Sequence, residues 1–164
     1  MKSEKRKVKS ITSLREFLNH LREKRKKVVF TNGCFDLLHL GHIHYLKKAK
    51  EKGDILIVGL NSDSSVRKLK GEGRPIVPEK ERAEILSALE FVDYVTIFSE
   101  DTPANLIREV KPDVLVKGGD YSLNEIVGKN YVSSYGGKVV TINLVKGKST
   151  TNLIKKIQCL KALP

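Results

Sequence analysis

Two imidazoles stand three residues apart at His39 and His42, with Gly41 between them. They follow a short apolar run, Val28-Val29-Phe30, and a turn at Asn32-Gly33. Ile43, Tyr45, Leu46 and Ala49 come next at helical spacing. A strand that ends in a glycine turn and feeds a helix gathers free backbone N–H groups and the positive helix end at one spot. Such a spot suits a phosphate. Imidazoles three apart near that helix start would face the same anion, and Gly41 lets it approach the backbone closely. The chemistry to expect is phosphate handling by positioned donors, with neither histidine required as a nucleophile.

Other polar groups follow the remaining apolar runs. Asn61-Ser62-Asp63 ends the run 55–60, and Lys117-Gly118-Gly119-Asp120 ends the run 114–117. Ser149, Thr150 and Thr151 precede the last apolar-periodic stretch, where their hydroxyls suit an anion at a helix start. Lys70 to Pro78, with two glycines, two prolines, Lys70 and Arg74, reads as a flexible basic loop of the sort that closes over phosphates. Arg82 sits in a helical stretch, where a surface salt bridge to Glu79 or Glu81 is the plain alternative to a substrate contact. Asp63 has the plain alternative of an N-cap, and Cys34 that of a small buried side chain.

Two sharper readings fail on spacing. Gly147-Lys148-Ser149-Thr150 imitates the end of a Walker A loop, but that motif needs a glycine at 142, which is Ile142. His39, His42 and His44 do not have the spacing of a strong zinc site, and no Cys or Glu completes one nearby. No protein metal site is expected.

The elements that must hold these groups alternate. Strands are predicted at 28–31, 55–60, 94–98, 114–117 and 138–144. Helices are predicted at 13–25, from His42 to about 52, at 64–69, 79–90, Thr102-Pro103 to 110, weakly at 124–135, and at 152–160. Ser13 with Glu16 reads as a capping box for the first, and residues 1–9 are expected to fray. The alternation predicts an α/β fold, a Rossmann-like doubly wound parallel five-stranded sheet. Ligands of such sheets lie beyond the strands' carboxyl ends, where the clusters at 31–42, 61–63, 117–121 and 145–151 would converge.

Composition bounds the rest. The 164 residues suit one principal domain at 28–164, preceded by a basic tail and amphipathic helix at 1–27. No apolar run approaches the ~18–20 residues of a membrane span, and no apolar h-region follows the charged start. The two cysteines, Cys34 and Cys159, have no metal or redox spacing. A cytoplasmic protein with free thiols is expected. The formal charge is +12, and residues 1–27 hold eleven basic residues against three glutamates, a net of +8. A solvated basic helix accounts for that excess better than a nucleic-acid arm, because few aromatics accompany it.

The segment NGCFDLLHLGH resembles the signature of the HxGH nucleotidyltransferases, and the resemblance runs from Val28 to Gln158. TNGCFDLLHLGH, NSDSSVRKLKGEGRPI, LVKGGDY and STTNLIKKI together are similar to the branch that adenylates heptose 1-phosphate for lipopolysaccharide precursors. That resemblance implies transfer of AMP from ATP, with Mg²⁺ held mainly by the nucleotide phosphates, to D-glycero-β-D-manno-heptose 1-phosphate. ADP-heptose and pyrophosphate would be the products. In some bacteria that activity is fused behind a sugar-kinase domain; the 164 residues leave no room for one, so the stand-alone form is expected, and the resemblance implies a homodimer. The glycerol-phosphate cytidylyltransferase branch resembles RTEGISTT at its C-terminal motif. Here Leu144 holds the arginine position, and Lys117 to Asp120 departs from that branch's GDD. The alternatives are cytidylyl transfer to a polyol or amino-alcohol phosphate, and a non-catalytic nucleotide- or RNA-binding module.

Carried over residue by residue, His39 and His42 would bind and activate the nucleotide phosphates. Thr31, Asn32, Gly33, Cys34 and Phe35 would lie along them, with Gly41 beside. Lys117, Gly119 and Asp120 would border the nucleotide, and Ser149, Thr150 and Thr151 would cap the last helix against phosphate. Asp36, Asn61 and Asp63 would face the acceptor. Arg67, Lys70, Arg74 and Arg82 would reach the triphosphate or the acceptor.

Overall fold

The computed structural model describes residues 7–119 and 122–160. Five strands form one parallel sheet in the order β3-β2-β1-β4-β5: β1 Val28–Gly33, β2 Ile55–Asn61, β3 Tyr94–Phe98, β4 Val114–Gly118 and β5 Lys138–Ile142. The central strands are apolar at nearly every position because both faces of the sheet are covered. Val29, Val58, Val114 and Val116 point to one face, where Tyr45, Leu46 and Ala49 of α2 (Leu40–Lys50) and Leu86 of α4 (Glu79–Ala88) pack. Val28, Phe30, Ile57 and Leu115 point to the other. They meet Leu14, Leu18 and Leu21 of α1 (Ile11–Glu23), Ile107 of α5 (Ala104–Val110) and Val132 of α6 (Lys129–Ser134). Between β2 and α4 lies α3 (Asp63–Lys70), and α7 (Thr150–Leu160) follows β5. The fold is therefore the doubly wound α/β sheet that the strand–helix alternation predicts.

Four local details differ from the sequence reading. Helix α1 starts two residues early: Ser10 is its N-cap and its hydroxyl accepts the Ser13 N–H at 3.2 Å. Ile11 gains a partly buried place against the core by this shift. Residues 7–9 are not frayed, because Val8 bridges Val95 in parallel and Lys9 N–H donates to Val95 O at 2.9 Å, extending the sheet past β3. The weak helix expected over 124–135 is broken into a 3-10 turn at Leu123–Glu125 and α6. Gly128 makes the break: its φ is +88°, and a Cβ there would meet Ile107 Cδ1 at 2.7 Å. Finally, β5 ends at Ile142, two residues short of the apolar run. Among the described residues, no helix is long and apolar enough to cross a membrane.

Candidate functional site

Winding reverses between β1 and β4, and a cavity of about 550 Å³ opens beyond the carboxyl ends of the strands there. That volume lies within the range of about 300–1,000 Å³ usual for a small-molecule site. The loops after β1, β2, β3, β4 and β5 all contribute to its wall.

The histidines form a stacked pair on its wall. His39 occupies the N-cap position of α2 in extended conformation without giving a side-chain cap, while its carbonyl accepts the His42 N–H at 2.9 Å. Its ring stacks on that of His42, centroids 3.9 Å apart and planes 23° apart. Phe35 lies tilted against His42, ring centroids 5.3 Å apart. Gly41 makes the stack fit, since a Cβ there would stand 2.9 Å from both Cε1 and Nδ1 of His39. The Nδ1 atoms of both histidines are buried without a hydrogen-bond partner. Burial, then the neighbouring His39, pull the His42 pKa down to about 4. Burial and the Lys148 charge lower that of His39 as well. The pair is thus neutral near pH 7. An incoming anion favours the charged form and would raise both values.

Cationic and hydroxyl groups complete this half of the cavity. Lys117 is buried at the end of β4, and its Nζ donates to Asn32 Oδ1. Lys148 lines the wall beside Gly41. Ser149 Oγ accepts the Asn152 N–H at 3.1 Å, the N-cap that the sequence suggested for α7. Thr150 Oγ1 donates to Leu37 O at 3.2 Å and ties the start of α7 to the loop before α2. Two helix starts, α2 and α7, therefore flank one space.

The opposite half is built on a buried carboxylate. Asp36 accepts Arg74 Nε at 2.6 Å, Ile76 N–H at 2.8 Å and Val77 N–H at 2.9 Å. Burial alone would raise its pKa, but the Val77 and Ile76 amides and the Arg74 guanidinium outweigh it and hold the carboxyl below its ordinary value. The 74–77 segment is thus anchored rather than free, contrary to the flexible loop expected. Asn61, Lys70 and Arg74 line the cavity beside Asp36.

Of the residues singled out from sequence, fifteen line this cavity: Asn32, Gly33, Cys34, Phe35, Asp36, His39, Gly41, His42, Asn61, Lys70, Arg74, Lys117, Ser149, Thr150 and Thr151. Thr31 lies beneath it, fully buried, its hydroxyl 2.6 Å from Tyr45 Oη. Arg67, Gly119, Asp63 and Arg82 are not on the wall. Asp120 lies outside the described residues. Arg82 departs most from expectation. It makes no surface pair with Glu79 or Glu81 but is buried, bonded to Val77 O, Cys34 O, Asn61 O and Asp63 Oδ1. Asp63 is consequently its partner, and Ser62 takes the N-cap of α3.

Sequence reading passed over Lys148, Tyr45, Asp101, Thr102, Pro103 and the 125–127 segment, which also form the wall. Lys148 had a signal, the Gly-Lys-Ser-Thr run; Tyr45 lies inside α2 and reads as core, and the others lie in loops that only the fold brings together. As to metal, no three His, Cys, Asp or Glu among the described residues stand close enough to cage an ion.

Comparison with known proteins fits this geometry. The "Bifunctional protein HldE" of Geobacter metallireducens is 58% identical over 151 residues, 92% of this chain and 31% of that protein. Its namesake in Syntrophotalea carbinolica is 59% identical over 145 residues, 88% of this chain and 30% of that protein. The chain thus spans under a third of the length of these curated relatives. A lipopolysaccharide core biosynthesis protein of known structure from Thermoplasma volcanium shares 34% identity at a TM-score of 0.62, covering 75% of this chain and 99% of that one. A pantoate-beta-alanine ligase from Francisella tularensis, 20% identical with a TM-score of 0.63 over 94% of this chain and 77% of its own, shares the fold. Residues 30–156 match the family described as cytidylyltransferase-like, and that span contains the histidine pair and the start of α7. With His39 and His42 stacked at the switch point inside the matched span, the chain belongs to the cytidylyltransferase-like family.

Proposed function

We propose that this chain transfers the adenylyl group of ATP to a sugar 1-phosphate, D-glycero-β-D-manno-heptose 1-phosphate, and releases pyrophosphate. The observation that carries the reading is the two-sided cavity. One half offers stacked imidazoles, two helix starts, Lys117 and Lys148; the other offers Lys70, Arg74 and Asn61. A triphosphate suits the first half and a phosphorylated polyol the second. The motif resemblance from TNGCFDLLHLGH to STTNLIKKI narrows the acceptor to the heptose, and the name of one similar protein of known structure, a lipopolysaccharide core biosynthesis protein, supports a place in lipopolysaccharide synthesis.

In this reaction an oxygen of the acceptor phosphate attacks the α-phosphorus of ATP in line. The new O–Pα bond forms as the bond from Pα to the bridging oxygen breaks, and that oxygen leaves with pyrophosphate. Charge grows on the leaving and equatorial oxygens, so positioned donors supply the acceleration. His39 and His42 give hydrogen bonds there from neutral rings that gain positive character as charge develops. The α2 and α7 N–H groups and Lys148 add positive potential. On the family resemblance, magnesium would belong to the substrate, bound mainly to the nucleotide phosphates. A homodimer is proposed with this activity on the resemblance alone, and a cytoplasmic location on the sparse cysteines.

The test is pyrophosphate release with Mg²⁺, crossing ATP and CTP with heptose 1-phosphate and glycerol 3-phosphate. Release with ATP and the heptose phosphate alone is expected. Release with CTP and glycerol 3-phosphate would overturn the specificity, and silence in all four mixtures would overturn the acceptor assignment.

A further inference from the structure

Arg82 has no exposed side-chain surface, yet it lies off the cavity wall. Burying a guanidinium is costly, and an apolar side chain of similar size usually serves stability as well. Its partners point to another purpose. Nη1 donates to Cys34 O at 2.6 Å and Asn61 O at 2.8 Å, Nε to Val77 O at 2.8 Å, and Nη2 to Asp63 Oδ1 at 2.7 Å. Cys34 and Asn61 are cavity residues at the ends of β1 and β2, and Val77 closes the anchored loop that carries Arg74.

We propose that Arg82 is the positioning residue of the site, fixing the histidine pair relative to the acceptor-side loop without touching substrate. The Cys34 carbonyl belongs to the peptide that leads into Phe35, and Phe35 has a φ of +43°. A bulky residue holds that left-handed conformation only when its surroundings over-determine it. The bond from Arg82 is such a constraint. Phe35 then presses on His42 at 5.3 Å, and His42 stacks on His39 at 3.9 Å. In the other direction, Val77 is held on both sides: its carbonyl by Arg82 and its N–H by the Asp36 carboxylate. One guanidinium therefore sets the spacing between the imidazoles and Arg74.

The proposal rests on the nucleotidyl-transfer reading for its activity arm, whereas the ring titration stands on geometry alone. Arg82→Met and Arg82→Lys are made in the full chain and assayed per folded molecule, with the folded fraction taken from circular dichroism. Arg82→Met should lower kcat by about 10²-fold and Arg82→Lys by about tenfold, with the ATP KM nearly unchanged, as expected for misplaced groups. Histidine NMR should show the His42 ring titrating above its native value of about 4 in both variants. If Arg82→Met does not fold, Arg82→Lys decides by the same two readings. Folded variants with native kcat and native His42 titration would overturn the proposal, as would an activity loss that only tracks the folded fraction. A wild-type protein silent in the pyrophosphate assay would count against the proposed reaction, while the ring titration would still decide the role of Arg82.

Discussion

Gly41→Ala isolates catalytic geometry from stability. The new methyl carbon would lie 2.9 Å from Cε1 and Nδ1 of His39. Comfortable contact between such atoms is about 3.5–4.0 Å, so the ring must retreat by roughly 0.6–1.1 Å. It can do so, being half-buried at the end of a rotatable side chain, but only by leaving its stack on His42. The backbone at 41 needs no left-handed conformation, and exchanging glycine for alanine in a helix gains up to about 1 kcal/mol. Folding should therefore change little, with Tm within about 4 °C of wild type. Catalysis should fall by roughly 10²-fold, the usual cost of an ångström's misplacement. Pyrophosphate release and calorimetric melting on the same preparation check both halves. Native kcat in the folded variant would refute the claim that the stacked arrangement is the working one.

Three further outcomes follow from the same geometry. His39→Ala or His42→Ala should each lower kcat by about 10²–10³, the scale of one lost transition-state donor, and the double variant should lose less than the product of the two in steady-state assays. His42 titrates at about 4 in the folded chain and near 6.5 unfolded, so between those values only the unfolded state holds the proton. Its burial should therefore cost stability as pH falls from about 6.5 to about 4, and denaturant titrations of wild type and His42→Gln across that window should diverge. Asp36→Asn removes the acceptor of Arg74, Ile76 and Val77 and should destabilise by about 3 kcal/mol, measured by urea unfolding at neutral pH. Because its folded pKa is depressed, that contribution is complete above the unfolded value of about 3.9 and is lost as pH falls through the folded one. The variant's 71–78 loop should also become sensitive to proteolysis.

Much of this fold is written in short-range patterns. Ile55 to Leu60 can only be a strand buried on both faces, and Asn32-Gly33 before His39 marks a strand–turn–helix junction. Convergence of the loops then follows from strand–helix alternation alone. The histidine pair was legible because its spacing and its neighbours agree. Partners distant in sequence were not. Nothing near Arg82 reveals that it meets Cys34, 48 residues away, or that Asp36 binds Val77, 41 residues away. Helix starts were misjudged where two caps compete, as Ser10 and Ser13 do before α1. The N-terminal segment looked free because a charged stretch gives no periodic signal, yet its main chain pairs with Val95 at the sheet edge. Wall residues such as Asp101 and Thr102 belong to a loop whose composition is ordinary, and only the order of the strands places it over the cavity.

The most direct measurement of the central claim follows the phosphorus. The protein is incubated with Mg²⁺, heptose 1-phosphate and ATP labelled with ³²P at either the α or the γ position, and the sugar products are separated. Label from the α position should appear in a sugar nucleotide and label from the γ position only in pyrophosphate, as attack at Pα requires. Label from the γ position on the sugar, or none from the α position, would contradict adenylyl transfer at this site.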